Sequence, residues 1–193
     1  MITVLGLDPG LSLGVSIQGA DRAVLKTVQI EATDPMIRLQ ELWEKLLPLF
    51  NPVPDMVAVE SYSMARRGSG TFTIGEMGGV LRLIVGAFRV PLVAIAPQSL
   101  KKFAHGKGND AEKARVILAV FKTWGVEAKN DNEADAFILG KIAYHLVSNS
   151  NSDLLEYQKE VLDTYGKKIQ RSHTRYSSGL SHVLGRSRTR KAE

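Results

Sequence analysis

The residues best placed to do chemistry are carboxylates that close or open apolar runs. Asp8 ends the run Ile2–Leu7 in an Asp-Pro-Gly turn, and Glu60 ends the run Met56–Val59. A third group, Asp131-Asn132-Glu133-Ala134-Asp135, opens an apolar helical stretch. Asn132 and Asp135 are three residues apart and Asp131 and Asp135 four apart, so each pair shares a helical face. Hard oxygen donors with only 4 His and no Cys in the chain suit magnesium, with manganese as a substitute, and not zinc. Two such ions about 4 Å apart would activate water and stabilise the leaving oxygen in phosphodiester cleavage. Plain alternatives stand beside this chemistry. Asp-Pro-Gly is a common turn, a strand-end Glu is commonly a surface residue, and Asp131 and Glu133 are favourable charges at any helix start. Asp135 resists such an explanation, because it leads into Ala-Phe-Ile-Leu-Gly and should be partly buried.

The elements that must position these groups follow from the pattern of apolar residues. Ile2–Asp8, Gly14–Gln18 and Ala23–Ile30 read as three strands with tight connections, an antiparallel meander. Pro35 opens a helix that carries apolar residues at helical spacing up to Phe50. Met56–Val59 is a buried strand, 61–70 a polar Gly-rich loop, and Thr71–Phe88 a helix despite its glycines. Pro91–Ala96 is a further strand and Pro97–Phe103 a short helix. Asn109 with Glu112 resembles a helix start running to about Trp124, and another helix covers about Asp131–Val147. Leu154, Leu155, Val161, Leu162 and Tyr165 describe one more amphipathic helix after the Ser/Asn-rich linker 148–152. The expected class is α/β, with a mixed five-stranded sheet flanked by helices in the order of an RNase H-like fold. Residues 1–147 form the expected nuclease domain, and 148–193 a linker, the amphipathic helix and a basic tail.

Gly6-Leu7-Asp8-Pro9-Gly10 with Gly14 resembles the first motif of RuvC-family Holliday junction resolvases. Val57-Ala58-Val59-Glu60 is similar to their second motif, and Glu133-Ala134-Asp135-Ala136 to their last. Ala96-Pro97-Gln98-Ser99-Leu100-Lys101 and Ala111-Glu112-Lys113 also look like family segments in the right order. The likeness covers roughly residues 1–147. It implies an RNase H-like fold, Mg²⁺ dependence, a homodimer and cleavage of four-way DNA junctions. Asp8, Glu60 and Asp135 match the family's acidic ligands. The remaining ligand position, three residues before the last, holds Asn132, whose amide oxygen can ligate a hard cation but brings no charge. Lys101 and Lys113 match lysines near the scissile strand; the plain alternative is exposed helix lysines. This departure and the extra basic tail lean toward a bacteriophage-type version.

The loop after Glu60 holds Tyr62, Arg66 and Arg67 among glycines. Arginines meet phosphates, and an aromatic ring stacks on an unpaired base. The resemblance places an aromatic one residue later, where Ser63 stands, so Tyr62 or Phe72 would substitute. Gly75, Gly78, Gly79 and Gly86 each cost the next helix up to about 1 kcal/mol relative to Ala. Close approach at a two-fold interface would explain them, as would tight packing within one chain. Residues 164–193 hold eight basic residues and one acidic, a net of +7, which leaves −2 for residues 1–163 of the total +5. That asymmetry points to a polyanion partner.

The 193 residues allow one well-buried α/β domain and not two ordinary ones. Absent cysteine excludes disulfides, thiolate zinc and cysteine nucleophiles. Neither a leader-like segment nor a bilayer-length apolar run is visible, so a soluble, cytoplasmic protein is expected. Three rival readings remain: a junction-binding protein of the same fold with weak or lost cleavage, an RNase H-like RNA-processing nuclease, and an actin- or sugar-kinase-like phosphotransferase, which would need two such domains.

Overall fold

The computed structural model describes residues 1–61, 69–108 and 113–167. Among these, five strands form one sheet: β1 (Val4–Asp8), β2 (Ser12–Gln18), β3 (Ala23–Gln29), β4 (Met56–Glu60) and β5 (Leu92–Ile95). The order across the sheet is β3-β2-β1-β4-β5. β1–β2 and β2–β3 pair antiparallel, while β1–β4 and β4–β5 pair parallel. The meander and the mixed sheet are thus as the sequence pattern implies. The helices are α1 (Pro35–Leu46), α2 (Ser69–Ala87), α3 (Pro97–His105), α4 (Lys113–Trp124), α5 (Asp131–Ser148) and α6, spanning 156–167.

β1 and β4 are near-continuous apolar runs because both of their faces are covered. Side chains alternate across a strand. Leu5, Leu7, Val57 and Val59 pack with Leu42 and Leu46 of α1 and Met77, Leu81 and Ile84 of α2. Val4, Met56, Ala58, Val93 and Ile95 pack on the opposite face, against Phe103, Val116, Val120, Phe137 and Ile138. Leu154, Val161, Leu162 and Tyr165 belong to that second core, so α6 lies on the body of the fold. The helix expected from Pro35 to Phe50 is α1 followed by a 3₁₀ turn, Leu47–Phe50. Pro48 explains the change, since it has no N–H to donate to an α-helical ladder.

α5 crosses β1 and β2 at unusually short range. A Cβ on Gly6 would lie 2.1 Å from the Ala136 carbonyl oxygen and 2.4 Å from the Gly140 nitrogen. A Cβ on Gly14 would lie 2.1 Å from the Asn132 carbonyl oxygen. Only glycine permits that approach.

Candidate metal centre

The alternation that buries Leu5 and Leu7 on one face turns Asp8 to the other, together with Val4 and Gly6. Met56, Ala58 and Glu60 follow the same rule on β4. Asp8 and Glu60 are therefore terminal residues of adjacent parallel strands, just beyond the Leu7–Val59 pair, on the face that α5 covers. Asp135 comes from the second turn of α5. A carboxylate oxygen from each of Asp8, Glu60 and Asp135 lies within 4.8 Å of the other two, and all three residues are partly buried.

Burial, followed by the charges of Glu60 and Asp135, holds the Asp8 carboxyl well above its ordinary range. A hydrogen bond with Glu60 and the charge of Asp131 act in the same direction. Three carboxylates crowded in this way repel one another, and a divalent cation relieves the repulsion. The donor set is hard oxygen, as magnesium, calcium and manganese prefer.

The start of α5 is fixed by a polar network. Asn130 caps the helix by accepting from the Glu133 N–H at 2.9 Å. The Glu133 carboxylate accepts from the Lys129 N–H at 2.9 Å and from Thr27 Oγ1 at 3.2 Å, and Asn130 Nδ2 donates to Thr27 Oγ1. Glu133 is only 3% exposed and serves the helix end, outside the cluster. Asp131 is also outside the cluster, although its charge is felt at Asp8. Asn132 stands one turn before Asp135, with its carbonyl over Gly14, the register partner of Asp8. Thr27 is a site-supporting residue that sequence reasoning missed. The Asn130–Glu133 spacing, a capping-box signature, was its nearest signal.

The family model for the crossover junction endodeoxyribonuclease RuvC matches residues 4–145. The chain belongs to the RuvC family. A RuvC relative from Synechococcus sp. (strain RCC307) is 30% identical over 156 residues, covering 73% of this chain and 97% of its own. Another, from Ruegeria pomeroyi, is 31% identical over 148 residues, covering 70% and 87%. The solved Thermus thermophilus RuvC superposes with a TM-score of 0.62 at 24% identity, covering 77% of this chain and 97% of that one. The same protein in complex with a Holliday junction substrate gives 0.63 at 22% identity, covering 77% and 96%. These superpositions show the RuvC fold. Of the residues expected to meet DNA, Tyr62, Arg66 and Arg67 lie outside the described residues, as does the Asn109–Glu112 helix start. Lys101 lies on α3, partly buried, and Lys113 begins α4. Both glycines of the RuvC-like first motif that face α5, Gly6 and Gly14, are close-approach positions beside the carboxylates.

Proposed function

We propose that this protein is a divalent-metal-dependent endonuclease acting in the cytoplasm on branched DNA, four-way junctions above all, by phosphodiester hydrolysis. The observation that carries the reading is the convergence of Asp8, Glu60 and Asp135 at one end of the sheet. These three, with the Asn132 amide as fourth donor, would hold Mg²⁺, or Mn²⁺ in its place. When bound, the metal supplies an activated water and charge stabilisation at the leaving oxygen. The carboxylates orient and partly neutralise the cations. Lys101 and Lys113, with Tyr62, Arg66 and Arg67, hold the scissile strand and the opened bases. Residues 1–147 carry the chemistry in this reading, and 148–193 add a linker, α6 and a tail for phosphates. Among the described residues, no helix is long and apolar enough to cross a membrane.

Incubating the protein with a four-way DNA junction and, separately, a structured RNA, each with Mg²⁺ and with Mn²⁺, tests the reading. Nicks near the junction centre are expected. Cleavage of the RNA alone would favour the RNA-processing reading, and tight junction binding without nicks the binding-only one.

The missing charge at Asn132 has a measurable consequence. An anion in its place binds a hard cation more tightly, so Asn132→Asp should lower the Mg²⁺ concentration for half-maximal cleavage by roughly three- to ten-fold. Asp131→Asn should have a smaller, opposite effect. An unchanged titration for Asn132→Asp, with activity lost in Asp131→Asn, would make Asp131 the ligand.

The protein is also proposed to act as a symmetric homodimer, since paired cuts need two sites related by a two-fold axis. Support comes from α2. Phe72 is 79% exposed and Leu83 64%. Among the described residues, a Cβ added at Gly79 or Gly86 on the same helix meets nothing within 4 Å, so packing against them does not explain these glycines. Sedimentation should find a dimer at micromolar concentration, and Leu83→Arg should weaken it at least about ten-fold. A parent chain that stays monomeric both free and with junction would sink the dimer.

A further inference from the structure

α3 begins at the carboxylate end of the sheet and lacks a cap of its own. Its N-cap residue is Ala96, whose methyl group accepts no hydrogen bond. Helices usually satisfy this end with a polar N-cap side chain and a reciprocal bond from the third helical residue to the N-cap N–H. Here that third residue is Ser99, and the connection is made from α6. The Tyr165 hydroxyl accepts from the Ala96 N–H at 2.9 Å and donates to Ser99 Oγ at 3.1 Å. Tyr165 is 2% exposed, so water does not substitute for it. α6 also grips the rest of α3, antiparallel to it. Gln158 Nε2 donates to the Phe103 carbonyl at 3.1 Å, Lys102 pairs with Glu160, and Tyr157 lies against the left-handed Gly106 that ends the helix. The corner held by Tyr165 adjoins the metal centre directly. Ile95 is the register partner of Glu60 and accepts from the Ser61 N–H at 2.7 Å, and Lys101 lies within the next turn and a half of Ala96. α6 itself falls beyond residues 4–145, the stretch that the family model matches.

We propose that Tyr165 is a positioning residue for cleavage: its hydroxyl fixes the β5–α3 corner, and through it the Lys101 helix relative to Glu60. The proposal rests on the endonuclease reading above. Tyr165→Phe removes the hydroxyl and keeps the ring in the core. In single-turnover cleavage of a four-way junction it should lower kcat by roughly three- to ten-fold, because small displacements of positioned groups cost rate steeply. Junction affinity should stay within about two-fold. Adding Ala96→Ser, which supplies α3 with a side-chain cap, should restore part of the loss. Amide hydrogen exchange reads the corner without reference to activity, and Tyr165→Phe should speed exchange over 96–101 by about ten-fold. Unchanged exchange overturns the proposal whatever the activity. So does an unchanged kcat, or a loss that Ala96→Ser leaves untouched. A parent protein that cuts no junction overturns the endonuclease reading instead, with the exchange result still deciding whether Tyr165 holds the corner.

Discussion

Asp8→Asn, Glu60→Gln and Asp135→Asn are each expected to reduce junction cleavage by at least about 10³-fold while leaving junction binding within about two-fold. Each replacement keeps the size of the side chain and removes one anion from a cluster whose oxygens lie within 4.8 Å. The packing around the cluster should therefore persist, and the loss should fall on cation binding. Asp8→Asn should also stabilise the metal-free protein. The folded state holds the Asp8 carboxyl well above its ordinary value of 3.8, chiefly through burial and the neighbouring Glu60 and Asp135 charges. A carboxyl raised on folding favours the fold while it is protonated. That contribution is lost as pH rises from the unfolded value through the raised folded one. Above the unfolded value and without metal, Asp8 therefore works against the fold, and Asn at position 8 removes that cost. Its Tm without metal should exceed the parent's by roughly 2–4 °C, and the rise in Tm that Mg²⁺ gives the parent should shrink. Full cleavage by any of the three variants would remove that residue from the centre. A lower metal-free Tm for Asp8→Asn would refute the electrostatic account.

The convergence of these groups was legible because each sits where a periodic pattern stops. Asp8 and Glu60 end apolar strands, and two-residue alternation decides which face each one takes. Asp135 opens an apolar helix, so its place on the buried side followed from helical spacing. Contacts between distant parts of the chain were not legible. Thr27 looks like any polar residue on an edge strand, yet it holds Glu133 and Asn130 across more than 100 residues of sequence. Tyr165 reads as one more apolar position on an amphipathic helix, and only the structure shows its hydroxyl at the Ala96 N–H. Periodicity reports which face of an element is buried. It does not report which backbone group a buried polar tip will meet. The α2 glycines are an intermediate case. Their helix cost marks them as odd in the sequence, and the structure then excludes tight packing against the described residues for Gly79 and Gly86.

Gly6→Ala is expected to cost more stability than a methyl added at Gly10 or Gly14, on the order of 3 kcal/mol or more. The added carbon would meet the Ala136 oxygen at 2.1 Å and the Gly140 nitrogen at 2.4 Å. Both are backbone atoms in the middle of α5, so no rotamer change relieves the clash. The whole helix must lift from β1, opening the core that Phe137, Ile138 and Ile142 fill at 0% exposure. Gly14→Ala meets the Asn132 oxygen at 2.1 Å, but at the first turn of α5, where a tilt of the helix end suffices. That tilt carries Asn132 and Asp135 away from Asp8, since Gly14 is the register partner of Asp8. Gly14→Ala should therefore lose cleavage by about 10²-fold with a smaller fall in Tm, whereas Gly6→Ala loses the fold itself. Gly10→Ala, whose nearest atom would be 3.8 Å away, is the control and should hold its Tm within about 2 °C. Thermal melts and single-turnover rates on the three variants decide the matter. A Gly6→Ala protein that melts with the parent would show that α5 does not need its close seat on β1. Equal loss of stability in Gly6→Ala and Gly14→Ala would refute the distinction between lifting a helix and tilting its end.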